Sequence, residues 1–474
     1  MSRSIGQMKV WEAGDDAYNA SLDSYFSKQQ QALKPRWIVS PETAEQVSFI
    51  VWLMSRSLDW GVGSKYAIRS GGYASWAGAS NIDGGIVIDM RALNSVDVHR
   101  DTSTVSVGAG ATWDEVYAKL GPLGLSVNGG TAAGVGVAGL TLGGGISFFS
   151  PRYGWTCDAV TRFQIVLADT SIVEVDSESD PGLFQALKGG SNNFGVVTRI
   201  NFRTFEQGPI WLLLIGYPLF AHVVALLVKI ASADACDEYA SMSVNFSYRH
   251  ASGEFPSRVV ALSCVLVYTK VAESLPECYR GVLQALNPLS STAWIQADMK
   301  TLADIPRRNA VNHARTIHRV CTLVLTKPAF LIARNAWFDS VEIIAHVPNI
   351  IWLLNLEPLP PQIYARHAEE NALGLTDRNN KSLLLVHLTV SWSEPSDDTF
   401  VNETAHSLMD AIEREARRLG VLDPYIHMNH ADRDQSPITS YGADSLRRLR
   451  EVRDRVDPRG LFKKMVPGGF KIDE

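Results

Sequence analysis

Two glycine-rich segments carry the residue types best able to receive a phosphate-bearing ligand. The first, Arg69-Ser70-Gly71-Gly72-Tyr73, is entered by the apolar run Tyr66-Ala67-Ile68 and followed by another, Ile86-Val87-Ile88. Consecutive glycines let backbone N–H groups face one concavity, since no Cβ blocks close approach or positive φ. Taken alone, a plain surface loop explains this turn equally well. The second segment, Gly129 to Gly145, has eight Gly among 17 residues and no Pro, Lys, Arg, Asp or Glu. A flexible linker of that glycine content would carry Ser and charge instead of interleaved Val and Leu. The apolar residues predict a buried loop, whose backbone polar groups need partners. A large polar ligand lying along the loop meets that need; a tight structural loop is the alternative.

Gly134-x-Gly136-x-x-Gly139 matches the dinucleotide fingerprint in spacing, with Asp158 at about the right distance beyond. A Rossmann fingerprint opens a helix directly after a strand. Here a second triplet, Gly143 to Gly145, interrupts any helix, so that reading is rejected. No Gly-Lys-Ser/Thr follows, which removes a nucleoside-triphosphate loop.

Two further motifs complete a pattern: Gly189-Gly-Ser-Asn-Asn193-Phe194-Gly195-Val196-Val197-Thr198, and Ser440-Tyr441-Gly442 with Asp457-Pro458 and Pro467-Gly468-Gly469-Phe470. With the glycine segments they make the chain resemble the berberine bridge enzyme-like branch of the vanillyl-alcohol oxidase superfamily, over nearly its whole length and most closely its fungal members. The resemblance implies an α+β, two-domain flavoprotein with a PCMH-type FAD-binding domain. That domain is discontinuous, residues 1–206 and 425–474, around a substrate domain of residues 207–424 built as an antiparallel sheet backed by helices. The cofactor is FAD. Its expected contacts are Arg69, Ser70, Gly71, Gly72, Tyr73, Gly130, Thr131, Gly134, Val135, Gly136, Gly139, Leu142, Gly143, Gly144, Gly145, Tyr153, Gly154, Gly195, Val196, Val197 and Asn429.

Two departures from the family bear on chemistry. Tyr73 stands where relatives have a His bonded to the flavin 8α-methyl carbon, and the glycine loop lacks the Cys of a second anchor, so FAD is expected to be non-covalent and a weaker oxidant. In Tyr425-Ile-His427-Met-Asn429-His430, His427 falls where relatives carry a Tyr base, and His430 where they carry a second Tyr. Imidazole exchanges protons near neutral pH far more readily than Tyr, whose ordinary pKa is about 10. His427, Tyr425 and His430 are therefore the candidate catalytic residues; the alternative is that the histidines are satisfied core residues. Glu357, Trp352, Trp392 and Tyr364 could line a substrate cavity. No metal site is expected, because no Cys or third His lies near His427 and His430.

The implied activity is an FAD-dependent oxidase acting on an apolar small molecule in secondary metabolism, by hydride transfer to flavin N5 and reoxidation by O2. A non-redox isomerase or cyclase that keeps FAD as scaffold, with His427 as acid/base, is the alternative. A carrier without turnover is the third reading.

The bulk numbers agree with an ordinary soluble globular protein. A chain of 474 residues with 46% hydrophobic and 20% charged residues exceeds one core. A net charge of −6 gives no electrostatic case for nucleic acid or an anionic membrane. Five Cys, an odd number without paired spacing, and an N-terminus lacking an apolar core point to reduced thiols and a cytoplasmic location. The apolar run Ile210 to Ile230 contains Gly216 and Pro218, so a strand over Ile210–Gly216 and a helix over Ala221–Ile230 read better than a membrane span.

The remaining elements are set by periodicity. Strands are expected at Trp37–Ser40, 66–69, 86–89, 104–107, Phe163–Leu167, Ile172–Val175, Gly195–Phe202, Val259–Tyr268 and Leu383–Trp392. Helices are expected from Pro41 to about Ser57, over Thr112–Leu120 and over Phe400–Leu419.

Overall fold

The fold, seen in a computed structural model, is described for residues 8–61, 63–217, 228, 237–251, 257–280, 294–299, 301–302, 314–378 and 380–472. The N-terminal part builds two sheets. In the first, Lys9–Trp11, Trp37–Ser40, Ile86–Asp89 and Tyr66–Arg69 lie in that order, the last three parallel. The second is antiparallel, ordered Val96–His99, Thr104–Gly108, Val196–Arg203, Val160–Val166, Ile172–Val175. The expected helix starts at Ala44 rather than Pro41, because the Thr43 side chain accepts from Gln46 N and caps it there. Val47, Ile50, Val51 and Met54 of this helix, spaced three and four apart, are buried against the sheets. Each contributes about 1.5–3 kcal/mol relative to exposure.

A third, eight-stranded antiparallel sheet runs Trp294–Ala297, Ile210–Tyr217, Ser257–Tyr268, Ala240–Ala251, Ile351–Leu359, Leu383–Trp392, Arg315–Val324, Leu422–Asp423. Its faces differ because side chains alternate along each strand. Trp352, Leu354 and Leu356, with Val386, Leu388, Val390 and Trp392, are buried in one core with the helices Lys327–Ile344 and Asp398–Arg418. The opposite face presents Asn245, Asn355, Glu357, His387 and Thr389. Asn355 Nδ2 donates to Asn245 Oδ1 at 2.8 Å across adjacent strands.

After the sheet the chain returns to the N-terminal part. Helix Leu461–Met465 packs on Ala44–Asp59. Asn193 Nδ2 donates to Phe470 O at 2.9 Å, and Tyr441 Oη donates to Gly189 O at 3.0 Å. Among the described residues no helix is long and apolar enough to cross a membrane, and the run from Ile210 forms a strand through Tyr217. The helix expected over Ala221–Ile230 lies outside the described residues except for Val228, as does Cys236. Cys157, Cys264, Cys278 and Cys321 are free thiols.

Candidate active site

The two glycine segments meet main chain to main chain. A Cβ on Gly71 would stand 2.5 Å from Gly136 N, and one on Gly136 would stand 2.3 Å from Gly71 N. Only glycine at both positions permits that approach. Ser70 Oγ donates to Ala109 O at 2.6 Å and fixes the turn from behind. Beyond Gly136 a six-residue helix, Val137–Leu142, forms and stops at Gly143. The fingerprint spacing thus does open a helix, but a short one, preceded by the single bridge Thr112–Gly136 instead of a strand.

Asn429 ties the C-terminal return to this loop. Its Oδ1 accepts from Gly145 N at 3.0 Å, and its Nδ2 donates to Gly139 O at 3.3 Å and Leu140 O at 3.2 Å. A cavity of about 420 Å³ lies between the loops and the polar face of the large sheet. Of the expected cofactor residues, Ser70, Gly71, Gly72, Tyr73, Thr131, Val135, Gly136, Gly139, Leu142, Gly143, Gly195, Val196, Val197 and Asn429 are on its wall. His427 and His430 are there too.

Other expected residues lie off that wall. Arg69 is buried beneath the turn, with Nη1 donating to Ser21 O at 2.7 Å, an ion pair to Asp89 at 3.9 Å and its guanidinium 3.7 Å over the Tyr25 ring. It braces the turn and faces away from the ligand space. Gly130 sits on the Trp113 indole, and its carbonyl accepts from Tyr117 Oη at 2.8 Å. Gly134 N donates to Asp114 Oδ1 at 2.7 Å. Gly144 and Gly145 turn away at positive φ, and their carbonyls accept from Cys157 N and Thr156 N. Tyr153 stacks on Phe205 at 4.4 Å, and Gly154 lies against Asp158. Tyr425 is fully buried behind His427. Asp158 accepts from Trp155 N and Asn371 Nδ2 in the interior, so it is no ribose ligand. Trp352 and Trp392 face the helices, and Tyr364 is buried with its Oη donating to Lys381 O.

Opposite the glycine loops stands a group of histidines, two of which no motif announced. His318, Glu357 and His387 reach the cavity from three adjacent strands and join His427 and His430. His318 Nδ1 lies 3.0 Å from His387 Nε2, and Thr389 Oγ1 lies within 3.1 and 3.2 Å of the same two nitrogens. The His387 and His430 rings stack face to face at 3.9 Å and 3°, and His427 meets His430 edge to face at 5.0 Å. His427 itself stacks on Trp155 at 5.3 Å, with Nδ1 3.2 Å from Tyr425 Oη. A visible trace existed only in the strand alternation: His318 and His387 take polar-face positions between buried Ile317 and Arg319, and Val386 and Leu388.

Burial holds these imidazoles neutral. It pushes His318 down to about 4 and His427 to about 3, and takes His387 and His430 well below their usual range, aided by neighbouring histidines. It pushes the Glu357 carboxyl up to about 7; that group makes no hydrogen bond among the described residues. Among the described residues the cavity wall has no Lys, Arg or Asp. Elsewhere, His406, Asp432 and Asp434 bring ligand atoms within 4.8 Å of one another, but Arg319 already contacts both carboxylates at 3.3 and 2.6 Å.

A dinucleotide suits this wall. Main chain lies bare at Gly71, Gly72 and Gly136, and a Cβ at Gly139 would meet nothing within 4 Å. Residues 35–176 match the FAD binding domain family. The chain is 44% identical over its full length to oligopeptidase PhomG' of Diaporthe leptostromiformis, spanning 37% of that longer protein. It is 32% identical to FAD-dependent monooxygenase sdcF of Emericella nidulans, covering 100% of this chain and 97% of that one, and 32% identical to FAD-dependent monooxygenase tpcD of Cochliobolus heterostrophus, covering 96% and 89%. In fold it is similar to 6-hydroxy-D-nicotine oxidase from Arthrobacter nicotinovorans, with TM-score 0.79 at 19% identity over 100% and 99% of the chains. Xylooligosaccharide oxidase from Myceliophthora thermophila gives TM-score 0.77 at 22% identity over 98% of each. The chain therefore belongs to the family of the fungal FAD-dependent monooxygenases, shares the fold of these oxidases, and is an FAD-dependent oxidoreductase.

Proposed function

We propose that this oxidoreductase binds FAD without a covalent link and oxidises a small apolar molecule in a tailoring step of fungal secondary metabolism. One observation carries the reading: a single cavity has bare glycine backbone on one side and uncharged imidazoles on the other. FAD, when bound, supplies a two-electron acceptor that O2 reoxidises. Ser70 to Tyr73, Thr131, the stretch from Val135 to Gly143, and Gly195 to Val197 would hold it. Phosphate charge would be met by backbone N–H groups, since among the described residues no Lys or Arg lines the wall.

Tyr73 supports the absence of a covalent link. A phenol has replaced the nucleophilic imidazole, and its ring stacks on Phe26 at 4.1 Å and 18°. His427 and His430 would face the reacting molecule, with Tyr425 and Trp155 fixing the plane of His427. A wall of neutral imidazoles whose one carboxyl, Glu357, is pushed up to about 7 favours neutral substrates, because an isolated charge moved into it loses hydration with little to offset the loss.

Acid precipitation of the purified protein tests the attachment: a yellow supernatant is expected, and a yellow pellet overturns it. Tyr73→His should move part of the colour into the pellet. Oxidase turnover is expected to release one H2O2 per O2 consumed, and a clear shortfall would instead favour oxygen insertion into the product.

A further inference from the structure

We propose that His318 and His387 form a paired proton site that takes up one proton as the bound flavin is reduced. The inference rests on the flavin reading of the cavity and goes beyond it by saying where the substrate's proton goes. Two neutral imidazoles 3.0 Å apart, nitrogen to nitrogen, share one hydrogen: one ring donates and the other accepts. Thr389 Oγ1, close to both nitrogens, holds the two rings in that alignment. The parallel stack of His430 on His387 fixes the plane of the second ring.

The outer nitrogens, His318 Nε2 and His387 Nδ1, make no hydrogen bond among the described residues, and both rings line the cavity. A proton reaching one outer nitrogen can therefore push the shared hydrogen across. The charge then spreads over two rings joined by a charge-assisted hydrogen bond. A lone buried imidazole lacks that stabilisation, and burial accordingly disfavours charge on His318 and His387 taken singly. Added negative charge on a neighbouring cofactor supplies the remaining driving force.

Other titratable groups face the pair. Glu357 comes from the neighbouring strand, His427 and His430 from the C-terminal return, and Tyr425 stands behind His427. Arg319, next along the strand from His318, is committed to Asp432 and Asp434. Glu357 is the main competitor, since its carboxyl, pushed up to about 7, also titrates near neutrality.

The step moves one proton and no electrons through the pair. A substrate O–H or N–H bond breaks, an N–H bond forms on an outer nitrogen, and the pair becomes singly charged. The two electrons leave the adjacent carbon with its hydrogen, as hydride, to the flavin. Reoxidation by O2 to H2O2 consumes the stored proton together with that hydrogen.

The midpoint potential of the FAD-bound protein, followed against pH, tests this without a substrate. One extra proton in a two-electron couple steepens the slope by about 30 mV per pH unit. That increment is expected in the native protein, lost in His387→Gln and His318→Gln, and kept in Glu357→Gln and His427→Gln. A purely structural role would shift the potential equally at every pH and leave the slope unchanged. Loss of the increment in Glu357→Gln alone would assign the proton to the carboxyl and overturn the proposal, as would slopes unaffected by both pair variants. Should a pair variant fail to retain flavin, nitrogen-15 NMR of the native FAD-bound protein decides. A hydrogen shared between His318 Nδ1 and His387 Nε2 supports the pair; two rings titrating independently sink it. Native protein that binds no FAD fails the flavin reading first, a distinct result.

Discussion

The two walls of the cavity are built by opposite means. The glycine wall is main chain: Gly71 and Gly136 touch because neither has a side chain, and Asn429 locks the loop through three hydrogen bonds to backbone. The histidine wall is all side chain, contributed by two strands of the large sheet and by the return segment. At Gly71 and Gly136 the first wall tolerates no added atom. The second is ordered by ring contacts and by the side-chain hydrogen bonds that join His318, His387 and Thr389 and join His427 to Tyr425. Binding and proton chemistry are thus separable, and substitutions can attack each in isolation.

Gly136→Ala should have the largest effect. Its Cβ would stand 2.3 Å from Gly71 N and 2.4 Å from Ser70 Oγ, where main chain must give way. We expect loss of bound flavin and about 1–3 kcal/mol of stability, read by flavin absorbance after purification and by urea unfolding. An alanine variant that retains full colour would break the account of the glycine wall.

Asn429→Ala comes next, since it unties the return from the loop. The cost expected is about 1–3 kcal/mol, seen as FAD affinity weaker by about tenfold or more in a fluorescence titration. Asn429→Asp, which keeps the acceptor for Gly145 N and loses the donor, should fall between.

A smaller effect belongs to the histidine wall and to pH. His318 and His427 bind protons less readily folded than unfolded, so their contribution is present above the ordinary imidazole value near 6.5 and is lost as pH falls below it towards 4 and 3. Glu357 acts oppositely: its proton stabilises below the ordinary carboxyl value near 4.5, and that stability is lost as pH rises through about 7. The melting temperature of the protein is therefore expected to fall between about pH 7 and pH 5. Glu357→Gln should steepen that fall and raise stability above pH 7. A flat profile would mean that the rings are not held neutral.

Gly121→Ala should change least. No atom lies within 4 Å of the new Cβ and φ is −54°, so a gain of about 0.4–1 kcal/mol in urea unfolding is expected with flavin unaffected.

Legibility followed the same division. Strands at 37–40, 66–69, 86–89 and 383–392 stand where alternation and apolar runs predict them, because local pattern and sheet burial agree there. Arg69 departs from its expected place among the ligand contacts: sequence adjacency to the glycines cannot reveal that Asp89 and Tyr25 hold its guanidinium on the opposite side of the turn. Glu357 could be named as a cavity candidate from its place among apolar and Pro residues. His318 and His387 could not, since each alone is one polar residue in a strand.

Amino-acid order by itself determined the backbone-built half of this protein. Absence of a side chain is a property of a residue and its immediate neighbours, and it survives being read in one dimension. Tertiary structure alone decided the imidazole half. Residues 69 positions apart come within 3.0 Å only through the register that sets Val320 opposite His387 and His318 opposite Thr389, and register depends on how the whole sheet buries its other face.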